Sequence, residues 1–137
     1  MLPVLEIKNL NVHYGVIHAL KDVSFNVQKG EIVTLIGANG AGKSTTLRTI
    51  SGLNKVTDGE IIFEGEDITK LPADKRVREG IVQAPEGRRI FPEMTVLENL
   101  EMGAYLRKDK DGIKADIDMV YSRFPILADR RKQTAGT

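Results

Sequence analysis

The stretch "IGANGAGKSTTLRTI", Ile36 to Ile50, constrains this chain more than any other. Three glycines in six residues precede a lysine, a serine and two threonines, and a run with helical spacing follows. Gly37, Ala38, Asn39, Gly40, Ala41, Gly42, Lys43 and Ser44 fill every position of the pattern G-x-x-x-x-G-K-[ST]. Phosphate oxygens need several N–H donors converging on one spot. A backbone supplies them by curling into a concave nest, which favours residues tolerant of positive φ. A helix N-terminus behind the nest adds unpaired N–H groups and about half a positive charge. In such a loop Lys43 reaches the β- and γ-phosphates, Ser44 Oγ ligates Mg²⁺ and Thr45 donates toward the α-phosphate, so a polyphosphate with Mg²⁺ is the implied ligand. The alternative is a glycine-rich turn carrying an exposed lysine. The strand-like run before the loop and the helical run after it favour the phosphate reading.

The flanks supply that context. "VLEIKNLNVHYG" reads as a strand with Leu5 and Ile7 on one face and Glu6 and Lys8 on the other. "DVSFNVQKGE" sets Val23, Phe25 and Val27 against Ser24, Asn26 and Gln28, with a turn at Lys29-Gly30. "EIVTLIG" is nearly continuous in apolar and β-branched residues, the pattern of a central strand buried on both faces. Lys43 to Ser51 carries Leu47 and Ile50 at helical spacing, and Gly52 is a stop signal. "DGEIIFEGEDI" reads as a turn and short strand, "PADKRVREG" as a short polar helix ending at Gly80, and "IVQAP" as a brief strand. Thr95-Val96-Leu97-Glu98 is a capping-box pattern opening a helix through about Arg107, with Leu97, Leu100 and Ala104 on one face. After the charged linker "KDKDG", Ile113, Ile117, Val120, Tyr121 and Phe124 mark an amphipathic helix ended by Pro125. That stripe reads as the core of a helical subdomain rather than a partner groove.

Composition excludes several roles. Twenty basic and 19 acidic side chains leave a net charge of +1, without the basic footprint of a nucleic-acid binder. Cysteine is absent, so there is no disulfide framework or thiolate metal site. The start "MLPVLEIKNL" lacks a secretory pattern. No apolar run approaches the ~20 residues that span a bilayer, so a membrane role goes through a partner. His13 and His18 have no acidic or histidine partner at ligand spacing and read as surface or strand residues.

"YGVIHALKDVSFNVQKGEIVTLIGANGAGKSTTLRTISGL" resembles the N-terminal half of an ABC-transporter nucleotide-binding domain. "GIVQAPEGRRIFPEMTVLENLEMGAY" is similar to the ATP-binding subunits of branched-chain amino acid importers, the LivF-like type. The resemblance implies an α/β fold: a P-loop NTPase of the ABC type, N-terminal portion. It would comprise an antiparallel β subdomain and a partial phosphate-loop core over residues 1–93, then the start of a helical subdomain over 94–137. It places Tyr14 where an aromatic ring stacks on adenine, against the alternative of a strand-end tyrosine packed on the core. It places Glu86, rather than Gln83, at the loop position near the metal where many relatives carry glutamine; the alternative is a solvated loop carboxylate. The loop rich in Arg88, Arg89, Phe91 and Met94 would face membrane-spanning subunits, with Phe91 and Met94 either docking residues or satellite core.

The implied protein is an ATPase on the inner face of a bacterial membrane. Its partners would be a second ATP-binding subunit, permease subunits and, indirectly, an external binding protein, with no nucleic acid. The family's catalysis also needs a strand ending in Asp-Glu, an "LSGGQ"-like signature and a later histidine, and the sequence contains none of them; Ile61-Ile62-Phe63-Glu64 is only a decoy. The chain therefore reads as the N-terminal part of a longer protein, inactive by itself. A non-catalytic nucleotide-binding or dimerisation module is the other reading. A soluble ABC protein of repair or translation is disfavoured by "PEGRRIFPEMTV" and by the lack of a basic patch.

Overall fold

The computed structural model describes residues 2–37, 42–87 and 89–137. Its contacts divide the chain into two units, one ending at Gln83 and the other Ala84–Thr137.

The first unit is built on a four-stranded antiparallel sheet in the order β2-β1-β3-β4, where β1 is Leu5–Tyr14, β2 Ile17–Val27, β3 Asp58–Phe63 and β4 Glu66–Asp67. β2 starts earlier than its alternating stretch predicts, because the Gly15-Val16 turn closes a hairpin that pairs Tyr14 with Ile17. The predicted alternation holds in β2, where Val23, Phe25 and Val27 are half-buried and Ser24 and Asn26 exposed. In β1 it breaks. Register shifts around Asn9 (φ 48°) let Leu10, Asn11 and Val12 all turn inward. A bulge inserts a residue and re-aims those after it. The buried Asn11 is fully used: Nδ2 donates to Asn9 O and Asp22 Oδ1, and Oδ1 accepts from Asp22 N–H and from His18 Nε2. Gly59 on β3 sits against this bulge, where an added Cβ would clash with Asn9 O.

Helix α1, Lys43–Ile50, packs into a core of Ile7, Leu10, Val12, Leu20, Ile50, Ile61 and Ile68. Its inward face is Thr46, Thr49 and Ile50; of the predicted pair Ile50 is buried and Leu47 is exposed. The two buried hydroxyls remain paired, Thr46 Oγ1 donating to Gly42 O and Thr49 Oγ1 to Thr45 O, both at 2.7 Å.

The predicted central strand over 31–37 is not a strand. Ile32 is 94% and Ile36 93% exposed, and among the described residues no strand pairs with this segment. Residues 81–85 are likewise outside any strand. A doubly buried parallel strand exists only with hydrogen-bonded neighbours and covered faces, and among the described residues the segment has neither. Apolar sequence alone does not make such a strand.

Helix α2, Ala73–Glu79, ends at Gly80 as its sequence predicts, with Gly80 left-handed at φ 106°. Its polarity hides a buried charge. Arg76 is 3% exposed and donates only to carbonyls: Leu71 O, Thr69 O, Thr49 O and Ile50 O, at 2.8–3.0 Å. Burial lowers the guanidinium's pKa; arginine nevertheless stays charged in proteins. Two of these acceptors belong to the last turn of α1, whose carbonyls lack intrahelical partners.

In the second unit, α3 (Val96–Gly103) opens with the predicted capping box: Thr95 Oγ1 accepts from Glu98 N–H and Glu98 Oε1 from Thr95 N–H. That pairing holds the Glu98 carboxyl below the ordinary glutamate range. α3 is shorter than predicted and continues as turns through Arg107. α4, Lys110–Arg123, includes part of the predicted linker. Ile113, Ile117, Val120 and Tyr121 are half-buried as their spacing predicts, but Phe124 is exposed, and Pro125 opens α5, Pro125–Asp129. Residues 131–136 return along 92–97, with Val96 N–H donating to Gln133 O and Ala135 N–H to Met94 O.

Arg76→Met keeps side-chain length but removes the donors; Thr49 O retains Gly52 N–H at 3.1 Å, while Ile50 O, Thr69 O and Leu71 O lose the guanidinium. Losing the partners of buried acceptors costs ~1–3 kcal/mol per group before relaxation. The variant is expected to lose ~2–4 kcal/mol in urea denaturation, with little change in slope. A midpoint equal to that of the parent chain would show that the guanidinium is not structural.

Candidate functional site

The chain turns from the loop into α1 at Gly42, which adopts φ 93° and ψ 5°. L-residues avoid that region. Space imposes a second demand: a Cβ on Gly42 would lie 2.8 Å from Leu20 Cδ2, and Leu20 is core. No side chain caps α1 and its first turn holds no acid. Thr46 N–H makes the first intrahelical bond, to Gly42 O at 2.8 Å. The N–H groups of Lys43, Ser44 and Thr45 thus precede the ladder, at the positive end of the helix dipole, as an anion site requires.

These residues share a cleft of about 350 Å³ with Tyr14, Ile17, His18 and Ala19 of the hairpin. Small-molecule sites run ~300–1,000 Å³. The structure therefore brings together Tyr14, Gly42, Lys43, Ser44 and Thr45, residues the sequence singles out. Gly37 is half-buried at the end of the segment leading into the loop. Ala38, Asn39, Gly40 and Ala41 lie outside the described residues, as does Arg88. Tyr14 is 45% exposed and is not packed as a core residue. Its hydroxyl accepts from Asn54 Nδ2 at 2.7 Å and donates to Thr45 Oγ1 over a long 3.5 Å.

Glu86 belongs to the second unit and is exposed, its carbonyl accepting from Arg89 Nε at 3.3 Å. Gln83 Oε1 instead accepts from Ser51 Oγ at 2.9 Å, beside the end of α1. Phe91 is 51% exposed and Met94 half-buried; Asn99 fixes that loop by accepting from Phe91 N–H and donating to Phe91 O.

Sequence reasoning misses three things. Ile17, His18 and Ala19 line the cleft because the hairpin carries them there. Asn54 reaches Tyr14 from a turn 40 residues away. His13 and His18 are strand residues as expected, but they also face each other across β1 and β2 with rings stacked 4.1 Å apart at 8°. The Gly15 turn between them was the available signal, since it sets residues 13 and 18 opposite one another.

Comparison with known proteins agrees with this architecture. The family model "ABC transporter" matches residues 20–136. The high-affinity branched-chain amino acid transport ATP-binding protein BraG of Pseudomonas aeruginosa is 48% identical over 134 residues, 98% of this chain and 57% of that protein. A probable branched-chain amino acid transport ATP-binding protein LivF of Archaeoglobus fulgidus is 39% identical over 98% of this chain and 56% of its own length. A crystal structure of the ADP conformation of an ATP-binding cassette of an ABC transporter superposes with a TM-score of 0.75 and 31% identity, over 99% of this chain and 59% of that one. The chain belongs to the ABC transporter family, with the phosphate-loop ATP-binding-domain fold that its sequence predicts. It spans less than three fifths of the length of these relatives. Among the described residues no helix is long and apolar enough to cross a membrane.

Gly42→Ala and Gly30→Ala separate the two demands on Gly42. Both positions have positive φ, but nothing lies within 4 Å of a Cβ on Gly30. Backbone strain of ~1–3 kcal/mol is common to both, and only Gly42→Ala adds the clash with Leu20. Gly42→Ala is expected to lower the urea midpoint more. Equal losses would show that Leu20 yields freely.

Proposed function

We propose that this chain is the nucleotide-binding part of an ATP-binding subunit that couples ATP binding and hydrolysis to import of branched-chain amino acids through an ABC transporter. The carrying observation is the cleft that joins Tyr14 to the first turn of α1. The substrate class rests on the 48% and 39% identical relatives, both named for branched-chain amino acid transport.

The residues fit Mg-ATP. N–H groups outside the helix ladder, the dipole and the Lys43 ammonium suit a polyphosphate, and the first turn of α1 carries no carboxylate to oppose it. Ser44 offers one hard oxygen, enough for Mg²⁺, which keeps most of its shell as phosphate oxygens and water. When bound, ATP supplies the phosphoryl group and Mg²⁺ spreads its charge. Lys43 holds the β- and γ-phosphates, Thr45 donates toward the α-phosphate, and residues 37–42 add backbone donors. Tyr14 stacks on the adenine. Glu86 stands near the metal in this reading, and residues 1–93 and 94–137 divide into the β-and-phosphate-loop part and the start of the helical subdomain. A second ATP-binding subunit, permease subunits and an external binding protein complete the assembly on the inner face of the membrane. For these 137 residues by themselves, nucleotide binding without turnover is the better description, because the sequence contains neither an Asp-Glu pair closing an apolar strand nor an LSGGQ-like segment.

Lys43→Ala removes the charge facing the terminal phosphates and is expected to weaken Mg-ATP binding by ~1.5–3 kcal/mol, the scale of a hydrogen bond to a charged group. Calorimetry giving equal affinities for the two proteins would overturn the phosphate assignment. The substrate class has its own test. The full-length subunit with its permease and binding protein in vesicles is expected to take up leucine, isoleucine or valine when ATP is inside. Uptake that ignores all three would contradict the substrate while leaving the nucleotide site intact.

A further inference from the structure

Asn54 lies in the turn that follows α1 and has no place in the phosphate-loop pattern. Its backbone is tied to the helix end: Leu53 N–H and Asn54 N–H both donate to Arg48 O, at 2.8 and 3.4 Å. Its side-chain amide reaches a residue that lines the cleft, donating to the Tyr14 hydroxyl at 2.7 Å. The Tyr14 hydroxyl then donates to Thr45 Oγ1. Tyr14 ends β1 at the hairpin turn and is half-exposed, so its ring has rotamer freedom to lose when a ligand settles on it. A ring already held at its far end loses less, and preorganisation of this kind raises affinity without a new ligand contact.

We propose that Asn54 is a positioning residue that fixes the Tyr14 ring at the cleft and thereby sets how far the site favours a nucleoside triphosphate over a bare polyphosphate. The proposal rests on the nucleotide reading above. It also assigns α1 a second duty. The helix start carries the phosphate-facing side chains, and the turn after its end steadies the ring, so one rigid element spaces the two halves of the ligand. Thr45 sits between them, its hydroxyl shared with Tyr14.

The test compares Mg-ATP with magnesium tripolyphosphate, which has the phosphates and no base. Asn54→Ala is expected to weaken ATP about 3- to 10-fold, the size of one neutral hydrogen bond, and to leave tripolyphosphate within about 2-fold. Tyr14→Phe removes the acceptor, so Asn54→Ala in that background is expected to cause no further loss. Equal weakening of both ligands by Asn54→Ala would make the residue merely structural and overturn the proposal, as would no change in either. A further loss in the Tyr14→Phe background would also overturn it. Tyr14→Ala tells this failure from failure of the underlying reading. If Tyr14→Ala leaves the ratio of ATP to tripolyphosphate affinity unchanged, base stacking itself is wrong. If it lowers the ratio while Asn54→Ala does not, only the role of Asn54 is lost.

Discussion

One buried guanidinium holds the first unit together around its site. From α2, Arg76 gathers carbonyls from the end of α1 and from Thr69 and Leu71 in the connection between β4 and α2, so one charged donor ties two segments to its own helix. A planar fork with five donors can meet such scattered acceptors, and a lysine cannot. Among the described residues its partners are backbone carbonyls and none is a carboxylate. The positive charge lies at the C-terminal end of α1, where the helix dipole is negative. The helix is thus fixed electrostatically at the end opposite its ligand-facing turn.

That anchoring gives the other features their meaning. The start of α1 is shaped by Gly42, which bends the chain and lets Leu20 pack close. Leu20 is a β2 residue of the same core as Ile50, so the hairpin and both ends of the helix are mutually braced. The hairpin in turn delivers Tyr14, and the β1 bulge that buries Asn11 sets its approach. Asn11 accepts from His18 Nε2, and His18 stacks on His13 just before Tyr14. The site proposed for a long, charged ligand lies where the hairpin tip and the helix start are braced by the same core.

The sequence made the phosphate loop, the β2 alternation, the Thr95–Glu98 capping box and the stop at Gly80 legible, because each depends on residues within a few positions of one another. Residue number alone does not reveal contacts made at a distance. Arg76 reads as one more charge in "PADKRVREG" until the fold buries it. Asn54 and His18 become site residues only when a turn and a hairpin carry them to Tyr14. The segment 31–37 teaches the converse. Its composition suits a buried central strand, yet a strand is a relation between neighbours, and none of the described strands lies beside it. Tyr14 and Glu86 rest on family resemblance rather than on local chemistry; Tyr14 lies beside Lys43 and Thr45 in the described cleft, and Glu86 belongs to the other unit.

The central claim is that the start of α1 and the tip of the β1–β2 hairpin form one nucleotide site. Amide hydrogen exchange, with and without saturating Mg-ATP, tests it most directly. The account predicts slowed exchange at Lys43, Ser44 and Thr45, whose N–H groups stand free of the helix ladder, together with slowed exchange around Tyr14 to Ala19. Protection confined to other residues, with these amides exchanging as fast as without nucleotide, would contradict it.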